Sequence, residues 1–223
     1  MTKELFVSAI TKLVSGILIL GILIFLPAGT FHYPQGQLLM GILFIPMTLA
    51  GIVMMLKSPE LLRKRLSVKE EQNEQKKVIL FSGLMFAAAF IAAGLSFRLN
   101  LLMLPKWVSY IAAVVFLLAY ALFAEVLREN AYLSRTVEVQ EGQRVVDTGL
   151  YGLVRHPMYA ATLLLFLSMP LILGSPLSFC LLLLYLPVLA KRIRNEEAVL
   201  EEGLAGYKAY KERVKYRLFP GLW

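Results

Sequence analysis

Long apolar runs alternate along the chain with short, strongly polar connections. Four runs cover residues 13–26, 38–56, 78–97 and 107–124, and further apolar residues at 6–10 extend the first one backwards. A helix needs roughly 20 predominantly apolar residues to cross a bilayer. The pattern therefore predicts a region of four transmembrane helices within residues 1–129.

A fifth apolar run, residues 158–189, is too long for one comfortable span and is interrupted by Gly174-Ser175-Pro176. Glycine can close a helix, serine can cap the next one, and proline suits a first helical turn. The run therefore predicts a tight helical hairpin. The helix count is six, or five if this hairpin is re-entrant.

The polar segments on either side of this hairpin carry patterns of their own. Alternating residues around Gly142 predict a small β-hairpin over residues 136–146. Residues 191–213 predict an amphipathic C-terminal helix. The predicted fold class is an all-α integral membrane protein of five to six transmembrane helices. It forms a single domain overall, with a second region at 130–223.

Charge is distributed very unevenly between the predicted loops. The chain is 58% hydrophobic and only 17% charged, with a net charge of +8. Of its 23 lysines and arginines, 21 lie on the side that holds both termini. Because cytoplasmic loops are enriched in Lys and Arg, both termini are predicted to be cytoplasmic. The net positive charge is then explained by the orientation of the chain in the membrane and by attraction to anionic lipid headgroups. It requires no nucleic-acid partner. One cysteine and two histidines predict no metal site.

The segment Arg155-His156-Pro157-Met158-Tyr159 stands where the fifth apolar run begins. A residue before proline favours an extended backbone, and proline favours the first turn of a helix. The segment would thus present free helix N–H groups, a cation and an imidazole at the cytoplasmic boundary, which suits an anionic group. The alternative is that arginine and tyrosine are only interfacial anchors and the histidine a capped helix end.

The polar continuation of the last helix contains a second group of candidates. Arg192 and Glu196 stand four residues apart, as a surface ion pair on a helix would. Glu196 and Glu197 together at a membrane boundary suit a cationic ligand. Four residues at 3–4 spacing form an apolar stripe that by default packs into a core: Leu204, Tyr207, Tyr210 and Val214.

The order of these motifs resembles the isoprenylcysteine carboxyl methyltransferase family, which has phospholipid N-methyltransferase relatives. The resemblance rests on Arg155 to Tyr159, the apolar hairpin, the Arg-x-x-x-Glu-Glu segment ending at Glu197, and Tyr207-x-x-Tyr210. It covers residues 130–223. It implies a membrane methyltransferase that uses S-adenosyl-L-methionine without a Rossmann domain, and the sequence indeed has no Gly-x-Gly-x-x-Gly after a strand.

The resemblance also implies roles for individual residues. The proposed catalytic set orients the acceptor or assists the reaction, and it comprises Arg192, Arg194 and Glu196. The proposed cofactor-binding set comprises Arg155, His156, Pro157, Tyr159, Glu197, Tyr207 and Tyr210. A site at the cytoplasmic face would admit a water-soluble cofactor from one side and a lipid-tailed small molecule or prenylated peptide from the bilayer.

Several alternatives remain open at this point. The acceptor could be the carboxylate of an isoprenylcysteine, which needs no general base, or a lipid amine, which would need one. An NADPH-dependent membrane reductase of the steroid-reductase type has a similar helical organisation. A non-enzymatic scaffold or transporter is disfavoured because no ionisable residue lies deep in a span. The sequence leaves the oligomeric state undetermined.

Overall fold

The computed structural model describes residues 3–66, 73–130, 132 and 139–223. Within these ranges the chain is helical and contains no β-strand, so the predicted all-α class is confirmed. A short 3₁₀ turn spans Gly149–Gly152. The helices are α1 (Lys3–Ala28), α2 (Pro34–Lys57), α3 (Pro59–Leu66), α4 (Asn73–Arg98), α5 (Lys106–Glu129), α6 (Pro157–Ile172), α7 (Pro176–Leu183), α8 (Tyr185–Gly203) and α9 (Tyr207–Arg213).

Among the described residues, five segments are long and apolar enough to cross a membrane. They are Glu4–Ala28, Pro34–Lys57, Leu80–Arg98, Lys106–Glu129 and Pro176–Gly203. The first, second and fourth contain apolar runs of the sequence, and the third contains residues 80–97 of the run at 78–97. The fifth joins α7 and α8, and α6 is a shorter apolar helix of 16 residues. The multi-pass membrane character predicted from the sequence is therefore confirmed.

The interruption in the last apolar run is a fixed turn between α6 and α7. Gly174 has a φ of +70°, a left-handed conformation that favours glycine. Leu104 donates its backbone N–H to the Gly174 carbonyl at 2.9 Å, and the Ser175 hydroxyl donates to Oγ of Ser96 at 3.1 Å. The prediction of two helices joined by a short turn is confirmed.

The predicted β-hairpin is wrong in the part that the structure describes. Residues 136–138 lie outside the described ranges, and residues 139–146 contain a turn but no strand. Gly142 has a φ of +71°, and the Gln143 N–H donates to the Gln140 carbonyl at 3.1 Å. Val139 and Val145 pack against the tyrosine-containing stripe of the tail, and this packing takes the place of a cross-strand partner.

The chain divides into two compact units. The first comprises Met1–Val114 with Leu167–Leu183, and the second comprises Val115–Phe166 with Leu184–Trp223. In the first unit, α4 packs against both α1 and α7. Small residues allow close approach there, since a Cβ added to Gly94 would lie 2.5 Å from the carbonyl oxygen of Ile24.

Substituting Gly94 tests this close contact, because its neighbours are backbone atoms that cannot rotate away. We expect Gly94→Ala to destabilise the protein by about 1–3 kcal/mol, as overpacking does. Gly83→Ala on the same helix is the matched control, since nothing lies within 4 Å of its added Cβ. Thermal unfolding in detergent measures both variants. Equal melting temperatures for the two would contradict the predicted α1–α4 contact.

Candidate active site

Arg155 and His156 form a short extended segment immediately before α6. The proline that follows restricts His156 to this conformation, and Pro157 then opens the helix. The Arg155 N–H donates to the carbonyl of Tyr216 at 2.9 Å, and the His156 N–H donates to that of Arg217 at 2.8 Å. The tail after α9 therefore returns to the start of α6 and fixes both residues.

A buried ion-pair cluster is centred on Glu197 of α8, which is only 3% exposed. Its Oε1 accepts a hydrogen bond from Nε of Arg155 at 2.7 Å and lies 3.3 Å from Nε2 of His156. Its Oε2 accepts one from Nε of Arg217 at 3.0 Å. Arg155 also donates through Nη1 to two backbone carbonyls of the tail, at 2.6 and 2.8 Å. Both carboxylate oxygens of Glu197 are thus engaged within the cluster.

The preceding residue, Glu196, belongs to a different set of contacts. The Tyr159 hydroxyl donates to Oε2 of Glu196 at 2.5 Å and accepts a hydrogen bond from Nε of Arg192 at 2.9 Å. Arg192 and Glu196 lie on one face of α8 because they are four residues apart. Both meet the buried Tyr159, so this arrangement is not the surface ion pair that spacing alone suggested.

The apolar stripe of the tail forms a buried cluster, as its spacing predicted. Tyr210 anchors it by donating from its hydroxyl to the Tyr151 carbonyl at 2.8 Å. Partly buried hydrophobic residues from the loop between α5 and α6 and from α8 pack against it. The stripe consists of Leu204, Tyr207, Tyr210 and Val214, packed by Val139, Val145 and Leu200.

Tyr207 differs from Tyr210 in that its hydroxyl oxygen is buried without a hydrogen-bond partner among the described residues. Burial raises the pKa of this phenol, and the nearby carboxylates of Glu197 and Glu196 raise it further. The hydroxyl consequently remains protonated at neutral pH and offers a donor. An unpaired buried polar group costs about 1–3 kcal/mol, so this position favours a ligand that supplies an acceptor.

These side chains line a solvent-open cavity in the second unit. Six of the residues singled out by sequence line it: His156, Tyr159, Arg192, Glu196, Tyr207 and Tyr210. One contiguous surface therefore carries two guanidinium groups, a carboxylate, an imidazole and several phenols.

The remaining sequence candidates lie elsewhere. Arg155 and Glu197 are buried and do not line the cavity, although Glu197 contacts His156, which does. Pro157 is buried as the first residue of α6. Arg194 is exposed on α8 and does not line the cavity. The candidates thus fall into a cavity-lining set and a supporting set, with Arg194 in neither.

Sequence reasoning overlooked several residues of this site. Arg217 completes the Glu197 cluster, while Arg144, Tyr132 and Tyr151 line the cavity. Arg144 and Tyr151 lie within the polar loop that was already of interest, but no local pattern separates them from their neighbours. Arg217 has no local signal either, because its role depends on the tail folding back.

The loop before α6 is held by the last residue of α5. The Leu150 N–H donates to Oε2 of Glu129 at 3.0 Å. Gly149 has a φ of +53°, and an added Cβ there would lie 1.7 Å from Oε1 of the same carboxylate. The left-handed backbone favours glycine here, and a larger residue would displace the Glu129 carboxylate that holds the 3₁₀ turn leading to Arg155.

Comparison with known proteins agrees with the class defined by the fold, a multi-pass helical membrane protein. Residues 110–202 match the model of the isoprenylcysteine carboxyl methyltransferase family. This match confirms the resemblance noted in the sequence and extends over the region in which most of its motifs lie. The matched region includes the Arg155–Tyr159 segment and Glu196-Glu197, and it ends before the tail tyrosines.

Two similar proteins extend this comparison. The chain is 31% identical over 98 residues to the uncharacterized protein YpbQ of Bacillus subtilis (strain 168). The aligned region covers 44% of this chain and 58% of that relative. The solved structure of a eukaryotic intramembrane Ras methyltransferase, isoprenylcysteine carboxyl methyltransferase, superimposes with a TM-score of 0.57 at 20% identity. That match covers 92% of this chain and 74% of the other, and it shows a shared fold.

The Glu197 cluster makes a specific prediction about stability. Removing one partner of a buried ion pair leaves an uncompensated charge and costs about 3–5 kcal/mol. We expect Arg155→Met to lower the free energy of unfolding by this order. Arg128→Met is the matched control, because Arg128 pairs with Glu125 on the exposed surface of α5 and such pairs contribute little. Denaturant unfolding in detergent compares the two. Similar losses would show that the cluster is not a structural centre.

Proposed function

We propose that this protein is an integral-membrane methyltransferase that uses S-adenosyl-L-methionine and methylates a lipophilic acceptor. The acceptor we favour is the carboxylate of an S-isoprenylcysteine, in a small molecule or at the end of a prenylated peptide. The observation that carries the proposal is the cavity in which residues of the family motifs meet. The family match over residues 110–202 supports the same reaction class.

The cavity residues fit the chemical groups of this cofactor. Its amino-acid end carries a carboxylate and an ammonium, and its sulfonium is a further cation. Glu196 suits the ammonium, whereas His156 and the start of α6 suit the carboxylate. Phenol rings are favourable neighbours for a sulfonium, as cation–π contacts are. The unpaired Tyr207 hydroxyl offers a hydrogen bond to a further acceptor group. The resident groups therefore match the cofactor without a Rossmann fold.

The supporting residues act through the ones that face the cavity. Glu197 holds the His156 ring at Nε2, and Arg155 and Arg217 neutralise that buried carboxylate. We therefore assign Glu197 and Arg155 a positioning role. Arg192, held by Tyr159, remains the residue proposed to orient the acceptor. Arg194 has no part in this proposal, because it does not line the cavity.

When bound, the cofactor supplies an electrophilic methyl group on sulfur. An acceptor carboxylate oxygen forms the new bond to that methyl carbon while the carbon–sulfur bond breaks and its electron pair stays on sulfur. The products are a methyl ester and a thioether, with no proton to transfer. The protein's contribution is to align the two reactants, which can supply about 7–11 kcal/mol at the upper end. Opposite charges disappear in this step, so surroundings of low polarity favour it, and the tail tyrosines belong to a buried hydrophobic cluster beside the cavity.

A methyl-transfer assay tests the reaction class. The purified protein is incubated with tritium-labelled S-adenosylmethionine and N-acetyl-S-farnesylcysteine, and we expect label in a base-labile methyl ester. Base-stable label in phosphatidylethanolamine would instead favour lipid N-methylation. A melting temperature raised by NADPH, with no response to S-adenosylmethionine, would favour a reductase. No labelled acceptor and no cofactor binding would overturn the proposal.

A pair of tyrosine variants tests the cofactor site separately. Tyr207→Phe removes an unpaired buried hydroxyl, so we expect unchanged or slightly higher stability but affinity for S-adenosylmethionine reduced about five- to tenfold. Tyr210→Phe loses the hydrogen bond to the Tyr151 carbonyl, so its stability should fall by about 1 kcal/mol. Titration calorimetry and thermal unfolding without ligand measure the two properties. Unchanged affinity in Tyr207→Phe would exclude its hydroxyl from the cofactor site.

A further inference from the structure

We infer that Arg144 is the residue that selects an anionic acceptor at this cavity, and that it binds the acceptor carboxylate. The inference rests on the proposed methyltransferase function and adds a residue that neither the motifs nor the family-based roles included. Three observations carry it: the position of Arg144, the available state of its guanidinium, and the charge balance of the cavity.

The position of Arg144 is fixed by its neighbours in the chain. Gln143, Arg144 and Val145 all line the cavity. Val145 packs against the buried stripe of the tail, which holds the loop on one side. The Gln143 side chain accepts a hydrogen bond from the Gln140 N–H at 2.8 Å, which holds the loop on the other. Arg144 is exposed, so its guanidinium lies on the solvent-accessible part of the cavity wall.

The other charged groups of the cavity are already engaged. The Arg192 guanidinium donates to Tyr159, and Oε2 of Glu196 accepts from the same hydroxyl. In contrast, no hydrogen bond or ion pair joins Arg144 to any residue within the described ranges 3–66, 73–130, 132 and 139–223. Its planar array of N–H donors is therefore available to a carboxylate, which it can bind in bidentate fashion.

The charge balance indicates which acceptor this cation would admit. Two arginines and one glutamate line the cavity. The cofactor adds two positive charges and one negative charge, and its ammonium uses the single carboxylate. With the cofactor bound, the cavity would hold four positive and two negative charges, and this excess of two positive charges disfavours a protonated amine. A carboxylate acceptor is attracted by the same excess. This balance favours ester formation over N-methylation.

Arg192 and Arg144 have different roles in this proposal. Arg192 is attached to the buried Tyr159 and is suited to the alignment of the reacting group. Arg144, at the accessible wall, attracts mainly the bound acceptor, because the carboxylate loses its charge as the methyl ester forms. Removing such ground-state binding raises KM without lowering kcat. The predicted signature is therefore a raised KM for the acceptor.

The test uses the purified full-length chain and N-acetyl-S-farnesylcysteine as the acceptor. We expect Arg144→Gln to raise KM for this acceptor at least tenfold with kcat changed less than threefold, and Arg144→Lys to recover part of the loss. Calorimetric affinity for S-adenosylhomocysteine should stay within twofold of the wild type. Lys208→Gln, an exposed cation of α9 that does not line the cavity, controls for general attraction of an anion and should leave KM unchanged.

A binding measurement without turnover completes the test. The wild type should bind the acceptor carboxylate at least tenfold more tightly than its carboxamide analogue, and Arg144→Gln should reduce this ratio to about one. An unchanged ratio, a ratio lost in Arg194→Gln instead, or a weakened cofactor affinity would overturn the role of Arg144. So would wild-type methylation of phosphatidylethanolamine in vesicles. If the wild type neither binds cofactor nor methylates any acceptor, the proposed function itself fails, and the inference that rests on it fails too.

Discussion

A buried carboxylate is the constraint on which the rest of the site depends. Removing Glu197 from water is unfavourable by several kcal/mol unless cations and hydrogen bonds surround it. Arg155 and His156 reach it from the start of α6, and Arg217 reaches it from the tail. Satisfying one charge thus joins three segments that are distant in sequence. The aromatic wall of the cavity is built on the segments joined in this way.

Two adjacent glutamates illustrate how one helix serves two purposes. Successive residues of an α-helix point about 100° apart, since there are 3.6 residues per turn. Glu197 therefore lies with the buried residues Leu189 and Ile193, while Glu196 faces the cavity with Arg192. Two identical neighbouring residues thus give one carboxylate that is buried in an ion-pair cluster and one that lines the cavity.

Features that depend on neighbouring residues were predictable from the sequence. The apolar runs, the Gly174 turn and the stripe from Leu204 to Val214 follow from helical spacing and glycine chemistry, and the structure contains all of them. The β-hairpin predicted from alternating residues was wrong. Alternation over a few residues cannot show that Val145 packs against a tyrosine cluster that is distant in sequence. Arg217 was missed for the same reason. Arg217 reaches Glu197 only because the tail folds back toward the start of α6.

The return of the tail has a consequence for how the protein is made. The carbonyls that receive the Arg155 guanidinium lie 59 and 60 residues further along the chain. At a synthesis rate of about 5–20 residues per second, they follow Arg155 from the ribosome by roughly 3–12 s. Glu197 follows Arg155 by only 42 residues, so the carboxylate is made before the tail carbonyls that complete the cluster. The cavity can therefore assemble fully only after α9 and the residues that follow it have been synthesised.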